Sequence, residues 1–201
     1  MHASQDETHI LHPSSRMLFR FWETMRAERS APSRSDLDLK HVKQLVPSLF
    51  IAEYATRQRS FRWRLAGTAI CDLYRRELTG SSLLAGWDAF EADVVRRFMS
   101  STITNRQPAI LRFRFQTDMD QVIGAEMAAF PLLASDGVTT HIFGGVFPFR
   151  DISNLGYTDI IRMEIGAARL VWTENLISAD DRSMTPAPRR FQVITGGLDQ
   201  R

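Results

Sequence analysis

Lysine is nearly absent from this chain: Lys40 and Lys43 are the only two among 25 basic residues, and arginine supplies the rest. Cysteine is scarcer still. Cys71 stands alone, which excludes an internal disulfide and any thiolate cluster for zinc or iron and sulfur, and fits a reducing compartment. Long apolar runs are missing as well. The longest, residues 127–134, falls far short of the roughly 20 residues that cross a bilayer, and the opening MHASQDETHILHPSS has no signal-peptide core. No membrane span is therefore expected, and the compartment reads as the cytoplasm. Neither sign of charge dominates, with 25 basic against 23 acidic residues. The arginines are scattered among apolar residues instead of forming a block or helix face, so a nucleic-acid partner is not expected.

Catalytic signatures are also lacking. The chain has no G-x-S-x-G, no H-E-x-x-H, no Walker loop, no G-x-G-x-x-G and no histidine beside a plausible nucleophile. An enzyme would have to assemble its acid and base from residues far apart in sequence. That leaves it as a minor alternative, on a small-cavity α+β fold.

What is present is ordinary globular material: 201 residues, 44% hydrophobic and 24% charged, enough for one domain with extensions. Residues 1–15 are polar and without period, and read as a disordered tail. Its His2, His9 and His12 lack the acidic or thiol partners of a metal site. From Arg16 to Arg29, Leu18, Phe21, Trp22 and Met25 fall on one helical face. Pro32 breaks that helix, and Leu39, Val42 and Val46 suggest a second short one stopped by Pro47. Residues 16–47 thus form a helical leader.

Residues 48–151 read differently. SLFIAEYAT and FRWRLAG, the latter alternating Phe61, Trp63 and Leu65 with Arg62 and Arg64, are two strands joined by a turn at RQRS. A short helix follows through AICDLYRRE, with Gly80 suited to its end. A longer one runs from about Ala89 to Asn105, opened by Asp88 and Glu91 at capping-box spacing, with Phe90, Val94 and Phe98 as its repeat. AILRFRFQT alternates Leu111, Phe113 and Phe115 with Arg112 and Arg114. QVIGAEMAAFPLLAS and TTHIFGGVFPFRD then flank the turn SDG as a hairpin. Two strands, helices and three strands predict a five-stranded antiparallel α+β domain with helices on one face. Both parities of TTHIFGGVFPF are apolar, so its strand needs cover on both sides, and the helix around Trp22 is the candidate cover, from this chain or a partner. Gly144 and Gly145 inside it suggest a bulge or a close backbone approach.

This order, with a long helix before the third strand, resembles the PAS domain. CDLYRRELTGSSLLAGW is similar to the PAS segment in which a short helix ends at E-L-x-G, and FPLLASDG to the hairpin joining the last two PAS strands. FRWRLAGTAICDLYRREL resembles the opening of a bacterial group of stand-alone PAS-type proteins with a similar helical leader. Gly67 and Thr68 stand where many PAS domains carry Asn.

The resemblance implies a sensory or protein-interaction module, often dimeric, with a cavity between sheet and helices; it names no cofactor. Cys71 lacks the polar motif of flavin photosensors, and residues 68–105 contain no histidine for haem. Such a cavity would draw on Trp63, Tyr74, Phe98, Phe113 and His141 as ligand contacts, and ordinary core packing explains the aromatics equally well. A homodimer or signalling partner would use Leu18, Phe21, Trp22 and Met25. Arg62, Arg64, Arg112 and Arg114 would share a sheet face if their strands were neighbours, and would then need solvent or acidic partners. Residues 152–201 form a C-terminal extension: an apolar stretch without clean period that should be ordered and packed on the domain or a partner, a polar linker from Ser178, and a short strand at FQVIT. The competing reading to a ligand-binding module is a structural adaptor that binds nothing small.

Overall fold

The structure, a computed structural model, describes residues 9–55, 60–133, 139–152 and 158–171. The expected turns at RQRS and SDG, most of the N-terminal tail, the linker from Ser178 and the FQVIT strand lie largely or wholly outside them. Helix α1 spans Pro13–Arg26. Two 3-10 stretches, Arg34–Asp36 and Leu39–Ser48, lead into β1 (Leu49–Ala55) and β2 (Ser60–Ala66). Helices α2 (Thr68–Tyr74) and α3 (Ala89–Asn105) precede β3 (Ala109–Thr117), β4 (Val122–Leu133), β5 (Thr139–Pro148) and β6 (Ile160–Leu170).

The strands form one antiparallel sheet in the order β2-β1-β5-β4-β3-β6. The five expected strands are all present, and the sixth is new. β6 comes from the C-terminal extension and pairs with β3 from Thr117↔Ile160 to Ala109↔Leu170. Register shifts between Arg112 and Phe113, and between Gln116 and Thr117, break its alternation, which is why no period shows in its sequence.

The sheet is covered on both faces. Its inner face packs Phe50, Trp63, Phe113, Met127, Ile142 and Val146 beneath α2 and α3. The outer face packs Phe130, Phe143 and Phe147 against Leu18, Phe19 and Trp22 of α1. β5 thus carries Ile142 and Val146 inward and Phe143 and Phe147 outward, as its double apolar parity requires. The outer cover is the chain's own helix, and Trp22 Nε1 donates to the Pro131 carbonyl at 2.9 Å.

Several local features differ from the sequence pattern for identifiable reasons. α1 begins at Pro13, ahead of Arg16, because His12 supplies an N-cap and proline suits the first turn; Ile10 before it is fully buried. The stretch before β1 is 3-10, kinked at Val42. α2 stops at Tyr74, where Arg75 takes the left-handed conformation. On α3, Asp88 accepts from Glu91 N at 2.8 Å, but the Glu91 carboxylate reaches Ile165 N of β6 at 2.9 Å instead of closing a capping box. The buried stripe of α3 is Val95, Met99 and Thr102, leaving Phe90 exposed.

Two arrangements matter for the site. Gly144 sits where a Cβ would lie 2.2 Å from the Ala128 carbonyl oxygen and 2.6 Å from the Phe50 ring, so the expected close approach is what β5 needs glycine for. Residues 80–83 run along β2: Gly80 N donates to Trp63 O, Trp63 N to Ser81 O, and Leu83 N to Phe61 O.

Candidate functional site

The inner face gathers rings by strand parity. Trp63 on β2 and Phe113 and Phe115 on β3 point inward because the arginines between them point outward. Tyr74 closes α2 above them. Trp63 and Tyr74 ring centres are 6.3 Å apart, Tyr74 and Phe115 6.2 Å, Phe113 and Phe115 4.8 Å, and Trp87 and Phe113 5.3 Å. These are tilted or edge-to-face contacts, the favoured aromatic geometry. Phe98 of α3 packs half-buried on the same cluster. Four of the five expected ligand residues, Trp63, Tyr74, Phe98 and Phe113, therefore share one interior.

His141 does not join them. Its odd position on β5 puts it with Phe143 and Phe147 on the outer face, and its Nδ1 lies 3.0 Å from Thr140 Oγ1. The sequence placed it in the strand correctly but could not orient it, since both parities of that strand are apolar.

A cavity of about 180 Å³ opens at one end of the interior, between α2 and β5. Ile70, Leu73, Val146 and Pro148 form its apolar wall, and Arg150 and Asp151 stand at its rim. It exceeds the ~150 Å³ of an apolar cavity that accepts benzene. In the aromatic cluster the Tyr74 hydroxyl donates to Met163 Sδ of β6 at 3.4 Å. Burial pushes this phenol's pKa up, with Arg76 pulling weakly the other way, so it serves as a neutral donor. Met163 and Trp87 escaped the sequence reading: Met163 lies in the strand whose alternation two bulges hide, and Trp87 in a loop. Cys71 is half-buried, with Sγ 3.8 Å from the Ala66 carbonyl. Among the described residues no group of three His, Cys, Asp or Glu could hold a metal ion, and no helix is long and apolar enough to cross a membrane.

The four residues expected at an interface divide. Leu18 and Trp22 are fully buried against the chain's own sheet. Their helical face is spent within the fold, which corrects their assignment to a surface. Phe21 and Met25 remain half-buried and line a groove of about 420 Å³ with Met17 and Val42. Asp36 and Asp38 stand on its wall. The Ser33 backbone N–H holds the Asp36 carboxyl below its usual range, helped by Arg29, and the Lys40 N–H does the same for Asp38. The four strand arginines do not cluster, because β2 and β3 are separated by three strands. Three of them find acidic neighbours instead: Arg64 lies 3.9 Å from Glu53, Arg112 3.9 Å from Glu126, and Arg114 3.0 Å from Glu164.

The outer face also contains a device that sequence reading missed. Glu126, fully buried on β4, accepts the backbone N–H groups of Leu11 at 3.0 Å and His12 at 2.9 Å. The carboxylate thereby anchors the start of α1. The His12 ring stacks on Phe147 at 5.3 Å, and its Nδ1 accepts from Ser14 N at 3.1 Å. Burial holds the His12 pKa below its ordinary value, against the pull of Glu126 and the Pro148 carbonyl, and Arg16 adds to the lowering. A lone Glu inside the apolar run IGAEMAAF was the available signal, since a buried carboxylate must find donors.

A family model described as PAS domain matches residues 10–147, taking in the leader as well as the five-stranded domain. No curated protein matches the chain. Solved structures that match include the LOV protein of Rhodobacter sphaeroides, at 11% identity and a TM-score of 0.42, covering 59% of this chain and 72% of that one.

Proposed function

This chain belongs to the PAS domain family, generally a family of sensory and signalling modules, and from that premise we propose that it is a regulatory module that binds a small apolar ligand and acts through protein contact. The observation that carries the ligand reading is a cavity walled by Ile70, Leu73 and Val146, which belong to the same core cluster as the rings and the Tyr74 hydroxyl. Sites for small molecules combine such linings with few polar groups. Native mass spectrometry of the freshly purified chain tests it. The expected spectrum shows an added small-molecule mass lost on collisional activation; a bare chain whose melting point no apolar compound shifts would favour the adaptor reading.

The output surface in this reading is the groove beside α1, used in a homodimer or by a signalling protein. Phe21 and Met25 are its apolar floor, and methionine adapts readily to a partner's shape. Alanine at Phe21 should weaken self-association in light scattering while leaving the fold intact. An unchanged oligomer would rule out this face as the dimer contact.

A further inference from the structure

β6 contributes eleven residues to the sheet, and Met163 is the one among them that is buried. The others are exposed or half-exposed along the sheet edge. Ile160, Ile165 and Leu170 pack half-buried on the inner-face core, but Met163 alone is fully enclosed by it. That side chain enters between α2, β3 and the loop before α3. Met163 is opposite Phe115 in the ladder, its sulfur receives the Tyr74 hydroxyl, and its terminal methyl lies so close to Gly86 that a Cβ there would meet it at 2.9 Å.

The chemistry of this contact is that of a placeholder. A buried tyrosine hydroxyl normally donates to oxygen or nitrogen, and a thioether is a weak acceptor on a flexible, unbranched stem. The rings of Trp63, Phe113 and Phe115 offer no charge, so a charged occupant would lose its hydration without compensation. β6 itself is bounded on both sides of Met163 by bulges. Its polar ties beyond the ladder include the Glu91 contact to Ile165 N and the Arg114 pair with Glu164, with the Asp159 contacts to Asp118 and Arg75 just before it and Val171 N to the Pro108 carbonyl just after.

We propose that Met163 is a displaceable plug in a site for an uncharged aromatic or aliphatic molecule bearing one carbonyl, which takes over the Tyr74 hydroxyl and loosens β6. The inference rests on the ligand-binding reading above and adds to it the acceptor, the plug and the strand that moves. Because ligand and Met163 compete for one space, ligand affinity and β6 attachment are reciprocally linked.

The test uses the full chain with acetophenone as probe and ethylbenzene as its counterpart without the carbonyl. Acetophenone should speed amide exchange in β6 of the wild type, and Met163→Ala should bind it at least about tenfold more tightly, since the plug is gone. Tyr74→Phe in the Met163→Ala background should erase the preference for acetophenone over ethylbenzene. Should Met163→Ala fail to fold, Met163→Val, which suits a strand better, serves in its place. Binding of acetophenone without faster β6 exchange, or with no gain in the Met163 variant, overturns the plug while leaving the ligand-binding reading standing. Absence of binding by either probe to wild type and variant, together with a bare chain in native mass spectrometry, overturns both.

Discussion

The two faces of the sheet are both apolar, yet they are closed by different means. The inner face is sealed by rings from strands and helices that meet edge to face, and its phenol is bonded to sulfur. The outer face is sealed by α1 together with Val42 and Leu45 of the 3-10 stretch, and the helix is hung on polar bonds: Glu126 at its start and the Trp22 indole to Pro131 farther along. Rings tolerate small shifts, since dispersion contacts are many and individually weak. A carboxylate with two donors and a nearby guanidinium does not, because a lost partner leaves a buried polar group unsatisfied. The contrast suits a module whose interior exchanges occupants while its outer helix keeps its place.

The largest blow to this contrast should come from Trp22→Ala. Losing a fully buried indole on the outer face should cost about 4 kcal/mol in denaturant unfolding, with α1 amides exchanging first. If inner-face amides open equally early, the two faces are one cooperative unit. Glu126→Gln should cost about 2 kcal/mol, because an amide cannot accept from both the Leu11 and His12 N–H groups as the two carboxylate oxygens do. A loss too small to measure would mean that water replaces those bonds.

The smallest effect concerns pH. The folded pKa of His12 lies below 6.5, its ordinary value, so the folded chain binds fewer protons there than the unfolded one. The stability this gives is full above that value and is lost as pH falls through it toward the folded pKa. Protonation also replaces the Nδ1 acceptor that caps Ser14 with a donor. The wild-type melting point should therefore drop more between about pH 7.5 and about pH 5 than that of His12→Asn, whose amide oxygen still caps the helix. Parallel curves would remove His12 from the outer-face anchor.

What could be read from the sequence divides along the same line. Period-two alternation in FRWRLAG and AILRFRFQT gave β2 and β3 and turned Trp63 and Phe113 inward, because one solvent-facing arginine in two leaves no choice of face. The double apolar parity of β5 announced cover on both sides but concealed which way His141 points. β6 was illegible because two bulges interrupt its alternation around Met163. Glu126 signalled a need for donors, but which donors was illegible because they lie more than a hundred residues earlier, and no local pattern encodes a contact across that distance. The apolar face of α1 was plain; that it is consumed by the chain's own sheet depends on how Leu18 and Trp22 meet Phe130 and Phe143 in three dimensions.

The border that residues 80–83 make along β2 gives the sheet a polarity. With those residues taking the outward hydrogen bonds of Phe61 and Trp63, an added strand finds that part of the β2 edge already occupied. At the other end of the sheet β6 carries Arg162, Glu164 and Arg169, alternating charges along its length. Charges of this kind discourage indiscriminate edge pairing. A strand pairing there would meet that pattern, on the same strand that carries Met163.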